Sequence, residues 1–161
     1  MYTYKIIQDT EPVNPREWDN LGTMFCQHRQ YNLGDKNAAP PNWKDDIMLP
    51  LYLYDHSGIT IQTTPFSCPW DSGQVGVIYI SREKVRAEYG VKRISQKLEA
   101  RILEYLKNEV VVYDQYLTGD VWGYIIKKDG EEIEACWGFF GRDECKNEAK
   151  SIIENLKISE Q

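Results

Sequence analysis

The stretch "VWGYIIKKDGEEIEACWGFFG", residues 121–141, decides the fold class. Two arms rich in aromatic and β-branched residues flank Asp129 and Gly130. An Asp-Gly pair is a strong hairpin signal, because a tight two-residue turn needs positive φ at both central positions. The arms are therefore antiparallel neighbours, and Trp122, Tyr124, Trp137, Phe139 and Phe140 are expected in the core. Upstream lies the longest helix. Ser95 is placed to cap it, and Ile94, Leu98, Ile102, Tyr105, Leu106 and Tyr113 recur at three- and four-residue steps. It should run to about Leu117 and stop at "TGD". Downstream, Asp143 is the expected cap of a last helix whose apolar face is Ala149, Ile152, Ile153 and Leu156.

The first half of the chain carries more strand signals. "YTYKIIQ", residues 2–8, is rich in aromatic and β-branched residues. In "NPREW", Asn14 can cap, Pro15 suits a first helical position and Glu17 completes a capping box. Residues 20–46 hold two Gly, a Pro-Pro pair and no sustained period. They read as an ordered irregular segment with a short helix through Thr23 to Arg29. A loop of this length in a small domain usually has a function. "IMLPLYLYD", residues 47–55, reads as a strand, with Pro50 at an edge or a bulge. "HSG" turns it into "ITIQTT", and "QVGVIYIS" is a buried strand. Ser81 then caps "REKVRAEYG", which Gly90 ends. The whole predicts a single α+β domain over residues 1–161: an antiparallel sheet built from hairpins, with helices packed on one face.

Composition narrows the function classes. With 42% apolar and 27% charged residues the chain is an ordinary globular one. Nineteen basic residues against 25 acidic give a net charge of −6. That balance argues against nucleic-acid binding as the main role, which needs clustered Lys and Arg, though a local basic patch is compatible with it. It suits docking on a basic partner surface. The N-terminus lacks the charged and apolar regions of a signal peptide, and no apolar run approaches the ~20 residues of a membrane span. The four cysteines, Cys26, Cys68, Cys136 and Cys145, show no C-x-x-C pair and no disulfide framework. A cytoplasmic protein with reduced thiols is expected, with no membrane association.

The densest chemistry is in "DHSGITIQTTPFSCPWDSGQVG", residues 55–76. Aspartates stand beside aromatic residues or glycines: Asp19 in "WDN", Asp35 in "LGD", Asp55 in "YDHSG" and Asp71 in "WDSG". Each has an ordinary explanation as an Asx-turn acceptor. Gathered with Trp18, Trp70 and His56 they would instead line one pocket. A flat aromatic wall with carboxylate and amide groups suits a nucleobase or a ribose. The candidate binding residues are Trp18, Asp19, Asn20, His28, Asn32, Asp35, Asp55, His56, Ser57, Trp70, Asp71 and Gln74. Cys26, His28, His56 and Cys68 are zinc-ligand types at poor spacing, so no metal and no cofactor is expected. Cys68 with His56 lacks an identifiable third member for thiol catalysis. Phosphate-loop, dinucleotide-fingerprint, zinc-protease and nucleophile-elbow motifs are absent.

"PREWDNLGTMFCQHRQYNLGD", "LPLYLYDHSGITIQTTPFSCPWDSGQVGVIYIS", "YDQYLTGDVWGYII" and "CWGFFG" together span most of residues 15–141. They resemble a family of small uncharacterised proteins encoded by phages and mobile elements of Gram-positive bacteria. The resemblance carries no catalytic assignment. It implies an accessory protein that inhibits a host defence factor, of anti-CRISPR or anti-restriction type, by stoichiometric binding in the host cytoplasm. The residue chemistry supports an alternative: a protein that binds a nucleotide or a nucleotide-derived signal and sequesters or degrades it.

Overall fold

The computed structural model describes residues 1–161. Its seven strands are β1 (Tyr2–Gln8), β2 (Thr23–Cys26), β3 (Ile47–Asp55), β4 (Ile59–Gln62), β5 (Ser72–Ile80), β6 (Val121–Lys128) and β7 (Glu131–Phe140). Its helices are α1 (Arg82–Tyr89), α2 (Gln96–Thr118) and α3 (Arg142–Ser159). The strands pair only antiparallel, so the fold is α+β as expected. They are divided between two sheets, ordered β1-β6-β7 and β2-β5-β3-β4, where the sequence suggested one. The chain forms two compact units: Met1–Val13 with Gln115–Gln161, and Asn14–Asp114. No helix is long and apolar enough to cross a membrane.

The first unit is built around the decisive hairpin. Asp129 and Gly130 take φ of 52° and 90°, the two positive values that their sequence demands. Tyr124 and Ile126 on β6 meet Cys145, Ala149 and Ile153 of α3, with Ile152 packed against them; of the expected apolar face, Leu156 is not part of this cluster. Two expectations are corrected here. Helix α3 starts at Arg142 behind Gly141 with no side-chain cap, and Asp143 lies in its first turn, where it favours the helix dipole instead. Trp137 is 47% exposed rather than core, because it lies with Gly123 on the sheet face opposite the one where Tyr124 and Ile126 meet α3. Its ring lies over Gly123, where a Cβ would come within 2.2 Å of it.

The second unit carries the candidate site. Ser81 accepts from the Lys84 amide to cap α1, and Gly90 ends it at φ 62°. Ser95 accepts from the Leu98 amide at the start of α2. Ile102, Leu106, Val110 and Tyr113 are the buried side chains of α2; Tyr105, expected on that face, is instead 46% exposed. Pro50 follows its expectation too. It lies where β3 pairs with β5 but has not yet reached β4, and the register slips just after it, between Leu51 and Tyr52. The other edge of β4 is closed by a helix residue: Asp114 accepts from Thr60 Oγ1 at 2.6 Å and from the Ile61 amide at 2.9 Å.

The segment 20–46 departs from expectation. Thr23–Cys26 is strand β2, paired with β5 in the register Thr23↔Tyr79 to Cys26↔Gly76, and not a helix. Pairing runs one residue further, with the Gln27 amide donating to the Val75 carbonyl at 2.8 Å. Backbone approach explains why Gly occupies position 76. A Cβ there would lie 1.9 Å from the Phe25 carbonyl oxygen. No side chain fits between these two strands.

Candidate functional site

A buried arginine holds the long segment in place. The Arg16 side chain is 2% exposed. Its Nε donates to Asp35 Oδ1 at 2.6 Å and its Nη1 to Glu109 Oε1 at 2.9 Å. Its Nη2 donates to the Gly22 carbonyl at 2.9 Å and to Asp35 Oδ2 at 3.2 Å. Burial opposes the Arg16 charge, but the hydrogen bonds and charges of Asp35 and Glu109 outweigh it and raise its pKa. The two carboxylates also take backbone donors: Asp35 the Met24 amide, Glu109 the Gly22 amide. Next door, the Gly34 amide donates to the Tyr113 hydroxyl at 3.0 Å. Gly34 has φ 77°, and a Cβ there would lie 2.6 Å from the Met24 carbonyl. Asp35 is thus fastened to the frame.

The fastened segment separates two open clefts in the second unit. One, about 960 Å³, is walled by residues of 14–17 and 26–37, including Cys26, Asn32, Asp35 and Lys36. The other, about 490 Å³, lies between residues 27–30 and the start of β5, with Asp55, Trp70, Asp71 and Gln74 on its far side. Gln27, His28 and Arg29 line both. The Tyr31 hydroxyl donates to Asp55 Oδ1 at 3.3 Å, linking the segment to the end of β3. Burial raises the Tyr31 pKa, and the Asp55 charge and hydrogen bond raise it further.

In the second cleft the Trp70 indole is 91% exposed, the most exposed aromatic of the chain's large apolar residues. Its loop is pinned on both sides. The Asp55 amide donates to the Asp71 carbonyl at 2.8 Å, the Ser72 hydroxyl donates to the Cys68 carbonyl, and Phe66 rests 5.5 Å from Tyr54. Asp71 Oδ2 lies 3.2 Å from His56 Nδ1, both groups exposed. Across the cleft, His28 Nδ1 accepts from the Gln30 amide at 3.1 Å and the Tyr31 amide at 3.3 Å. Arg29 is exposed and takes part in none of the ion pairs.

The sequence candidates therefore sort by place. His28, Asp55, Trp70, Asp71 and Gln74 come together at the second cleft, and His56 reaches it through Asp71. Asn32 and Asp35 line the first. Trp18, Asp19 and Asn20 line neither cleft; Asn20 Nδ2 donates to the Pro15 and Trp18 carbonyls, each at 3.0 Å, as turn structure. Ser57 is a turn residue with φ 57°. Sequence reading misses Gln27 and Arg29. The available signal is that Arg29 is the single cation between Arg16 and Lys36.

Cysteine chemistry follows burial. No three His, Cys, Asp or Glu side chains converge in metal-binding geometry. All four thiols are free. Burial, with help from the Asp35 charge, pushes the Cys26 thiol up to about 12, so at neutral pH it is a protonated, inert wall of the first cleft. Burial also raises Cys145, whereas Cys136 is exposed on β7. In a timed reaction of the native protein with a chromogenic disulfide near pH 8, Cys136 is expected to label first, and Cys26 and Cys145 only on unfolding. Rapid labelling of Cys26, read by peptide mass, would contradict this placement.

No family model matches the chain, and no curated protein and no solved structure is significantly similar to it.

Proposed function

We propose that the chain is a binding protein and that the Trp70 cleft takes a nucleotide-class ligand. One observation carries this reading: an indole 91% exposed stands on a pinned loop at the lip of a polar cleft. Leaving so large an apolar surface in water is unfavourable, and a flat base stacked on it removes that surface. The groups around it complement the rest of a nucleotide. Asp55 and Asp71 accept from exocyclic amines or ribose hydroxyls, Gln74 can both donate and accept, and the exposed Arg29 fork suits a phosphate.

Calorimetry and tryptophan quenching with purine and pyrimidine nucleoside mono-, di- and triphosphates test it. A saturable signal is expected for at least one. Trp70→Ala should weaken it roughly five- to hundredfold, the range of one base–aromatic stack. Absence of binding by the whole panel at millimolar concentration, or unchanged affinity in Trp70→Ala, would overturn the reading.

A second reading keeps the implication of the phage-family resemblance: stoichiometric inhibition of a host defence nuclease. The exposure of Trp43 at 62% and Trp70 at 91%, on a chain of net charge −6, favours it. Exposed aromatics anchor interfaces, and acidity complements a nuclease's nucleic-acid channel. Inhibition of a purified defence nuclease should then titrate at one-to-one stoichiometry and weaken with salt.

A further inference from the structure

The charge of this chain is unevenly distributed. Residues 82–107 hold eight of its 19 basic residues and four of its 25 acidic ones, a local balance of +4, so the remainder carries −10. Of these cations, Arg82 is neutralised by Asp45 and Glu99, and Lys84 donates to the Leu21 carbonyl. Arg86, Lys92, Arg93, Lys97 and Arg101 are exposed and form no ion pair, although the chain has a surplus of carboxylates. Crowding unpaired cations around one helix-to-helix turn costs self-repulsion, and a polyanion relieves it.

The spacing on α2 is informative. Lys97, Arg101 and Tyr105 follow each other at four-residue steps, so they lie along one face about 6 Å apart. With Ala100, Glu104 and Asn108 they line a shallow groove of about 390 Å³. Ala100 leaves its floor open, Glu104 is its one carboxylate, and the Tyr105 ring is 46% exposed. Two cations followed by an exposed aromatic is the arrangement that tracks a sugar-phosphate backbone and stacks an unpaired base.

We propose that the α1–α2 face is a binding site for single-stranded nucleic acid, with Lys97 and Arg101 on successive phosphates and Tyr105 stacked on a base. The site is separate in sequence from the Trp70 cleft and independent of the reading given to it.

Fluorescence anisotropy with a labelled oligothymidylate of about 12 nucleotides tests this. Affinity should fall steeply between about 50 and 200 mM salt, with a log–log slope near −0.7 for each phosphate neutralised. The double variant Lys97→Glu, Arg101→Glu should bind at least tenfold more weakly, and its slope should flatten. Tyr105→Ala should cost roughly five- to hundredfold with the slope unchanged, since stacking releases no counterions. Trp70→Ala should leave the affinity as it was. These residues are exposed, so circular dichroism should show all variants folded. The proposal is overturned if no binding occurs at low salt, or if the duplex binds more tightly than the single strand. It is equally overturned if anionic vesicles bind and the oligonucleotide does not, or if Trp70→Ala abolishes binding while the α2 variants do not.

Discussion

Gly76→Ala is expected to destabilise the protein by on the order of 3–4 kcal/mol, an unusually large cost for adding one methyl group. The added Cβ would meet the Phe25 carbonyl oxygen at 1.9 Å and the Cys26 Cα at 2.9 Å. Both atoms are backbone, so neither can swing aside as a flexible side chain would. Relief requires β2 to lift from β5. That would loosen the bond from the Gln27 amide to the Val75 carbonyl, and with it the wall that the two clefts share. Gly73 is the control. It lies on the same strand, and a Cβ added to it would meet nothing within 4 Å. Gly73→Ala should be neutral, or stabilising by up to about 1 kcal/mol through the unfolded chain. Urea melts of the two variants should separate widely in midpoint. Equal midpoints would show that β2 does not pack against β5 as described.

Asp35→Ala should cost about 3–5 kcal/mol, because it strands a buried cation. Asp35 takes two of the Arg16 donors and the Met24 amide, and its removal leaves Glu109 alone to face a guanidinium whose side chain is 2% exposed. At about 2–4 °C per kcal/mol for a chain of this length, the melting temperature should fall by roughly 10 °C. Asp19→Ala is the matched comparison: Asp19 is exposed, and its loss should stay within about 0.5 kcal/mol. Differential scanning calorimetry distinguishes them. Similar melting temperatures for both variants would remove Arg16 from its role as anchor.

The same pair shows what the sequence can and cannot reveal. Local signals are legible because local chemistry decides them. The positive-φ pair Asp129 and Gly130, the caps at Ser81 and Ser95 and the left-handed Gly90 need no distant partner. Thr23–Cys26 reads as helix in isolation because its strand identity comes from β5, some fifty residues away. Gly141 displaces Asp143 at the start of α3 for a comparable reason: its amide is bonded to the Asp120 carbonyl across the base of the hairpin. Trp137 looks like core because the composition of a strand does not say which of its two faces a helix covers.

The candidate site is partly legible. Asp55, Trp70, Asp71 and Gln74 lie within one short stretch, and a turn gathers them with little help from the rest of the chain. Asp19, Asp35 and Asp71 look alike in sequence, each flanked by an aromatic or a glycine. The structure separates them into an exposed side chain, a half-buried partner of a buried arginine and a cleft wall. That sorting depends on Glu109 and Tyr113, which no local pattern connects to Arg16 or Gly34. The basic face is hidden by averaging, since a net charge of −6 says nothing about where the cations are.

The anchoring of the cleft segment also sets an order of events during synthesis. Arg16 and Asp35 emerge from the ribosome long before Glu109, and Gly34 long before Tyr113, which supplies the acceptor for its amide. Until the C-terminal turns of α2 have been made and have cleared the exit tunnel, Arg16 has only half of its charge partners. The nascent chain therefore passes through a long interval in which the strands of the second unit are complete while Arg16 and Gly34 still lack their partners on α2.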